Sequence, residues 1–334
     1  MPEVIRASPL TARPRRWATR MLDTGPEPAQ PQPAAPAPPD AAPSTLAHPR
    51  RIVATLEELD EMLAELDRLA EVSDDELRRG FTEFRMELDI DVPEDPYSPD
   101  YRAHVFEMYE FLHGRPYDPS HESTPFDSID ALTKPFPYST MSPTTVGNQL
   151  MAIGHIVKAI DLAAGASVLE FGPGWGNTTL TLAQTGYRVT AIDIEPRFVE
   201  LIEARADRLG VDLTARVGDF STVSDLNEQF DAVLFFECFH HSADHLSLLE
   251  ALDRVVAPGG KIVFAAEPIT EELPYPWGLR QDGESLWAIR KHGWLELGFT
   301  ETYFLATLER FGWLVDKRVC DGTPWGVVYV ATRR

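Results

Sequence analysis

Val168-Leu169-Glu170-Phe171-Gly172-Pro173-Gly174-Trp175-Gly176 is the stretch that decides the fold. An apolar run ends in a carboxylate and an aromatic ring. Three glycines then alternate with Pro173 and Trp175, and a helical segment opens at Asn177. Glycine allows a backbone to turn tightly and to come close to a ligand. A strand that feeds a helix through such a loop places the loop at a strand's carboxyl end, where doubly wound sheets bind their ligands. The dinucleotide pattern Gly-x-Gly-x-x-Gly needs a glycine at 177, where Asn177 stands. The loop is built for a different ligand.

Outward from this loop, residues 167–171, 188–193, 213–217, 232–236 and 261–266 read as strands. Helical segments lie between them, from Asn177, over 196–209 and over 244–256. Strands alternating with helices imply a parallel sheet with right-handed crossovers. A further helix over 300–311 is capped by Thr300, and residues 313–320 and 325–332 read as strands joined through Asp321-Gly322, hence an antiparallel hairpin. Ser142-Pro143 starts a helix ahead of the first strand.

Two more strand ends carry polar groups. Asp193 lies seventeen residues beyond Gly176, where a carboxylate can accept hydrogen bonds from both hydroxyls of a ribose. Glu195, just after it, reads as the cap of the helix at Pro196. The third strand closes with Gly218-Asp219-Phe220, in which Asp219 can accept from an adenine amino group and Phe220 offers a ring face.

Taken in order, Glu170–Gly176, Asp193, Asp219-Phe220 and Pro258-Gly259-Gly260 resemble the class I S-adenosylmethionine-dependent methyltransferases. The resemblance covers roughly residues 145–334 and implies an α/β, Rossmann-like sheet of seven strands, mostly parallel, in the order 3-2-1-4-5-7-6. It also implies S-adenosylmethionine as cofactor, its methionine end along Gly172, Gly174 and Gly176, its ribose at Asp193 and its adenine near Asp219 and Phe220. Glu170 replaces the commoner Asp of the family and would hold the methionine amino group through the loop or a water.

After the fourth strand comes Phe236-Glu237-Cys238-Phe239-His240-His241-Ser242-Ala243-Asp244-His245. His241 or His240 could take a proton from an acceptor hydroxyl, since imidazole titrates near neutrality. Glu237 is a candidate for the methionine amino group or the substrate, and Asp244 reads as a helix cap. Three histidines and an Asp also carry metal-ligand groups, but adjacent side chains of an extended segment point to opposite sides. The block therefore reads as metal-free.

Residues 267–299 make a connection much longer than the usual 4–6 residues. Trp277, Arg280, Trp287 and Arg290 within this insertion suit a polar, ring-bearing substrate, aromatic faces covering the ring and charged forks holding its substituents. The alternative is that the tryptophans simply pack on the sheet. Tyr138, in the Pro- and Tyr-rich stretch before Ser142, is placed near the methyl group by the resemblance alone. These features point first to O-methylation of a sugar, glycan precursor or other polyhydroxylated metabolite. A lipid, quinone or secondary metabolite is the second reading and predicts an apolar pocket beneath the insertion; a non-catalytic cofactor-binding adaptor is the third.

Composition bounds the rest. The chain has 334 residues and a net charge of −23, from 53 acidic and 30 basic side chains. Such a field repels phosphate backbones, so nucleic acid is not an expected partner. Residues 51–100 hold 17 acidic and 5 basic side chains, so about half of the charge lies outside the catalytic segment. No run of about 18 apolar residues exists to span a membrane, and the two cysteines, Cys238 and Cys320, fit a reducing cytoplasm.

Residues 1–52 read as a disordered tail, since nine prolines fall between Pro26 and Pro49 with almost no large apolar residue. Residues 53–141 read as a helical region that precedes the methyltransferase domain of 142–334. Thr55 with Glu58 and Ser73 with Glu76 form capping boxes. Leu56, Leu59, Leu63 and Leu66 give one apolar stripe, and Leu77, Phe81, Phe84 and Leu88 a second. Ser98-Pro99 opens a third helix with Val105, Met108, Phe111 and Leu112 inward. The three helices either pack on the catalytic domain or, over residues 53–113, offer a surface for self-association.

Overall fold

The computed structural model describes residues 51–88, 92–123, 128–134, 136 and 142–334. The expected tail, apart from Arg51 and Ile52, and Tyr138 lie outside the described residues. Arg51 and Ile52 belong not to a tail but to a short strand, β1 (Arg51–Val53). Helix α1 (Leu56–Val72) follows, with the Thr55 side chain accepting from the Glu58 N–H and Leu59, Leu63 and Leu66 buried. Ser73 caps α2 (Asp74–Phe81) in the same way, through the Glu76 N–H. The second stripe then breaks. Phe84 and Leu88 do not continue α2, because the chain turns at Thr82 and enters β2 (Phe84–Met86), which pairs in parallel with β1. Short apolar runs fit either period, and here Phe84 and Met86 face inward at a spacing of two.

Helix α3 (Pro99–His113) starts at Ser98 and ends at Gly114 in the left-handed conformation. It buries Tyr101, Val105, Met108, Tyr109 and Leu112, whereas Phe111, expected inward, is exposed. After the short α4 (Ser128–Thr133) and α5 (Pro143–Ile160), the alternating segment runs β3 (Ser167–Phe171), α6 (Asn177–Gln184), β4 (Arg188–Asp193), α7 (Pro196–Leu209), β5 (Thr214–Val217), β6 (Phe230–Phe236), α8 (His245–Val255) and β7 (Val256–Ala265). The insertion forms β8 (Trp277–Leu279), α9 (Gly283–His292) and β9 (Leu297–Phe299). Helix α10 (Glu301–Arg310) and the hairpin β10 (Trp313–Val319) and β11 (Val327–Arg333) close the chain.

Seven strands make one sheet in the order β5-β4-β3-β6-β7-β11-β10. All neighbours are parallel except those of β11, which is antiparallel to both β7 and β10. Counted along this sheet alone, that is 3-2-1-4-5-7-6. Alternate residues of each strand serve opposite faces. Val168, Leu234 and Val263 pack with Ile156 and Ile160 of α5 on one face. Leu169, Phe171, Phe235 and Phe264 belong to a second core, which continues through Trp277 and Leu286 of the insertion to Phe84, Tyr101 and Leu59.

The N-terminal segments and the insertion interlock, and much of their apolar surface is buried in one core, the packing alternative expected for the three helices. The hydroxyl of Tyr101 donates to the Trp277 carbonyl at 2.7 Å, and the Trp277 indole donates to the Pro96 carbonyl at 2.8 Å. The Met86 N–H reaches the Gln281 carbonyl at 2.9 Å. Arg290 forks onto the Asp60 carboxylate with two contacts of 2.9 Å. Replacing Tyr101 by Phe removes a buried donor while leaving the ring in place, and should lower unfolding stability by about 1–2 kcal/mol. An unchanged urea midpoint would show that this contact does not couple the two segments.

Candidate functional site

The glycine loop follows β3, as the sequence indicates, and its geometry gives each glycine a different duty. A Cβ on Gly176 would lie 2.5 Å from Ile202 Cγ1, so α7 can rest directly on the loop only because no side chain stands there. A Cβ on Gly174 would meet nothing within 4 Å; this position opens to a cavity of about 490 Å³. Both residues hold positive φ, 72° and 51°, which glycine adopts at little cost. Gly172 also faces the cavity, against Cys238. Asn177, where a dinucleotide motif would place glycine, instead accepts from buried Arg205 of α7 at 2.9 Å.

Asp193 ends β4 beside this loop. One of its oxygens accepts the Gly174 N–H and the other the Glu195 N–H, each at 2.9 Å. The carboxylate is buried at the cavity wall, and burial lifts its pKa to about 6 against the opposing pull of the two N–H groups. Each carboxylate oxygen has a second lone pair for a ligand. Glu195 is the cap of α7, accepting the Arg197 N–H at 3.0 Å. Asp219 caps the turn over Phe220–Asp225, accepting the Ser221 N–H at 2.8 Å, and both Asp219 and Phe220 line the cavity.

Glu170 does not line the cavity but lies buried at the end of β3, where it accepts from the Thr179 hydroxyl of α6 at 2.6 Å; that position allows only the indirect hold on a methionine amino group that the resemblance implies. Glu237 does reach the cavity, from a left-handed backbone with φ of 52° that a non-glycine residue rarely holds. Such strain clusters at functional sites.

The two histidines separate. Phe239–His241 forms a 3-10 turn rather than an extended segment, so the imidazoles lie on one side with ring centres 4.2 Å apart. The geometric reason for reading this block as metal-free therefore fails. His240 is buried away from the cavity, its Nδ1 2.8 Å from Glu267. Glu267 also accepts the backbone N–H groups of Cys238, Phe239 and His240 at 3.0, 2.9 and 3.1 Å. Burial alone would raise this carboxyl, but His240 and the N–H donors outweigh it and hold it below the usual range. His241 lines the cavity, with Nδ1 3.3 Å from Glu122. Burial would depress its pKa, yet Glu122, Glu296 and Glu267 together lift it to about 9. The third histidine, His245, packs edge-on to Trp277 and meets the Tyr303 hydroxyl at 2.9 Å. Burial drives its pKa down to about 3; it is a core residue. Asp244 caps α8 as expected, through the Ser247 N–H at 3.1 Å.

None of the four insertion residues expected to bind substrate lines the cavity. Trp277 is 1% exposed in the core. Arg280 is bound by Asp282 at 2.9 and 3.0 Å and by Glu296 at 3.1 Å. Trp287 packs on Phe81, with ring centres 5.5 Å apart. Arg290 holds Asp60 and the Leu112 carbonyl. Arg280 is thus held by carboxylates of the insertion itself, whereas the partners of Trp277, Trp287 and Arg290 lie on N-terminal segments up to about 230 residues away, which local sequence does not reveal. The residues that do roof the cavity are Trp294, Tyr117 and Glu122. Glu122 accepts from the Tyr117 hydroxyl at 3.1 Å and from the Leu295 N–H at 2.8 Å. Trp294 belongs to the same insertion as Trp277 and Trp287, but nothing local singles out Trp294, Tyr117 or Glu122.

The buried Glu170 gives this loop a pH signature. Burial lifts its carboxyl from 4.5 to about 7, so the folded chain holds a proton that the unfolded chain releases. Its contribution to stability is present below pH 4.5 and declines as pH rises to about 7. Glu170→Gln should remove that component, so the difference in denaturant midpoint between variant and parent should shift in the variant's favour across this window. A constant difference would show that Glu170 titrates normally.

Comparison with known proteins bears on what this cavity is for. Residues 169–264 match the family described as methyltransferase domain. A demethylmenaquinone methyltransferase of Tropheryma whipplei is 36% identical over 109 residues, 32% of this chain and 44% of that protein. A ubiquinone biosynthesis O-methyltransferase of Methylocella silvestris is 35% identical over 102 residues, 30% of this chain and 40% of that protein. The match thus spans less than half the length of these curated relatives. Among solved structures, magnesium protoporphyrin IX methyltransferase from Synechocystis is similar with a TM-score of 0.45 and 17% identity, over 64% of this chain and 97% of that one. Residues 169–264, which carry the glycine loop, thus match a methyltransferase domain, and the seven-stranded sheet around them has the strand order that the resemblance to class I S-adenosylmethionine-dependent methyltransferases implies.

Proposed function

We propose that this chain transfers the methyl group of S-adenosylmethionine to a small, ring-bearing acceptor of phenolic or quinone-like chemistry. The residues fit the cofactor. Gly174 leaves open space for the methionine end, Asp193 keeps lone pairs for the ribose, and Phe220 and Asp219 border the room for adenine. The cofactor supplies an electrophilic methyl on a sulfonium. The protein's task is to align the acceptor in line with it and to exclude water.

The observation that carries the acceptor class is the fate of the insertion. A polyol needs charged forks and hydrogen-bonding side chains in the pocket, and Arg280 and Arg290 are committed elsewhere. The sugar or glycan reading loses its support there. The cavity instead presents the rings of Tyr117, Phe198 and Trp294 together with His241, Glu122 and Glu237, aromatic walls with acidic groups and no arginine or lysine among the lining residues, a mix of apolar surface and placed polar groups common to small-molecule pockets. The partial relatives named for quinone methylation agree with this reading. Among the described residues no helix is long and apolar enough to cross a membrane.

Incubation of the full chain with labelled S-adenosylmethionine and a panel of phenols, hydroquinones and nucleotide sugars tests the reading. Transfer to the phenolic or hydroquinone members is expected; transfer to sugars alone would overturn it. Asp193→Ala should weaken cofactor binding by about 1–3 kcal/mol in calorimetry, the scale of a lost buried hydrogen-bonding group. Unchanged affinity would remove Asp193 from the site. Arg290→Ala should lower thermal stability while leaving the KM for the acceptor unaltered, and a raised KM would return the insertion's cations to the pocket.

A further inference from the structure

Behind the cavity wall lies a cluster that methyl transfer leaves unexplained. His240, His241 and Glu296 bring one ligand atom each to within 4.8 Å of one another. The 3-10 turn after β6 makes this possible by placing both imidazoles on one side. Glu267 fixes the first of them. Its carboxylate, 2.8 Å from His240 Nδ1, takes the proton of that nitrogen as a hydrogen bond, leaving Nε2 as a lone-pair donor 3.7 Å from Glu296. A carboxylate behind an imidazole is the arrangement that orients metal-binding histidines.

The second imidazole is held only loosely. His241 Nδ1 is buried without a hydrogen-bond partner among the described residues, though it lies 3.3 Å from a Glu122 oxygen. Orphaned buried polar atoms call for a missing partner. The charge balance asks for one as well. Glu122, Glu267 and Glu296 surround the two histidines, all three mostly buried. Arg280, the cation paired with Glu296, is already forked onto Asp282 and has only one nitrogen on Glu296.

We infer that His240, His241 and Glu296 form a binding site for a divalent transition-metal ion at the wall of the methyl-transfer cavity, with Glu122 in reach as a fourth ligand. Two imidazoles and one or two carboxylates suit Zn²⁺, Mn²⁺, Fe²⁺ or Co²⁺ rather than the all-oxygen shells of Ca²⁺ and Mg²⁺. Small side-chain rotations close the present spacing to bonds of roughly 2.0–2.2 Å. Because His241 and Glu122 face the cavity, an ion held here has a side open to an acceptor. There it would supply Lewis acidity that makes an acceptor hydroxyl more acidic. That consequence rests on the proposed methyltransferase reading, whereas occupancy of the site does not.

The full chain, stripped with a chelator and desalted, should bind one equivalent of Zn²⁺ in equilibrium dialysis with elemental analysis. Co²⁺ should give visible absorption bands of a nitrogen- and oxygen-ligated ion. His241→Ala and His240→Ala should each weaken Zn²⁺ binding at least tenfold. Glu296→Gln should do the same, but it also unpairs Arg280, so it counts only where circular dichroism shows a native fold. Absence of saturable binding by the parent chain, or parent-like affinity in both histidine variants, would overturn the inference. Calorimetry with S-adenosylmethionine on the same preparations separates the two claims. Cofactor binding without metal rejects the ion site alone, and metal binding without cofactor affinity rejects the methyltransferase reading alone.

Discussion

A buried carboxylate must be given its hydrogen bonds or it costs the fold several kcal/mol, and Glu267 shows how much structure that requirement can organise. It sits just beyond the carboxyl end of β7 and gathers three consecutive backbone N–H groups, of Cys238, Phe239 and His240, together with the His240 ring. Those donors can converge only if the chain leaving β6 curls into a tight turn. The turn in turn sets Cys238 under Gly172, His241 on the cavity wall and Asp244 at the start of α8. One residue thereby ties two adjacent strand ends, the first residues of the insertion and the floor of the cavity into a single geometry.

The second organising feature is the reciprocal burial of the N-terminal segments and the insertion. Neither has enough apolar surface to form a core alone, and each completes the other. Tyr101, Trp277, Phe84 and Leu286 share one cluster with the sheet residues Phe171 and Phe235. Polar side chains follow the same rule. Arg290 finds Asp60 on α1, and the Tyr109 hydroxyl reaches the Gly293 carbonyl. The layer so formed delivers Tyr117, Glu122 and Trp294 over the glycine loop without any of them lying near it in sequence. A long insertion can thus serve as a scaffold for the roof of a pocket while contributing few of its own side chains to the lining.

Electrostatics inside the site also reflect position more than composition. Much of the chain's acidity lies on its N-terminal helices, yet Glu122, Glu267 and Glu296 are gathered around the paired imidazoles in the interior. Glu170 and Asp193, at the ends of neighbouring strands, are both raised by burial although they play different parts. Glu170 steadies the loop from below through Thr179, and Asp193 holds it from the side through the Gly174 N–H while remaining open to the cavity.

Sequence alone determined what depends on local stereochemistry. The three glycines around Pro173 and Trp175, the alternation of apolar strands with capped helices, and the Asp321-Gly322 link are short-range signals, and they specify the parallel sheet, its terminal hairpin and the ligand loop. That Asp193, Asp219 and Phe220 stand at strand ends beside the loop was legible for the same reason, since the end of each strand is defined by its own residues. Tertiary structure alone decided which side chains meet. Phe84 leaves a helical stripe for a strand because β1 is there to pair with it. Trp277, Trp287 and Arg290 turn from the pocket because segments far away in the chain bury or bind them, and Arg280 because Asp282 and Glu296 of the insertion hold it. His240 and His241 lie side by side because Glu267, 27 residues beyond His240, winds their backbone into a turn. Periodicity and capping act over a few residues, whereas burial and charge compensation act between residues that only the folded chain brings together.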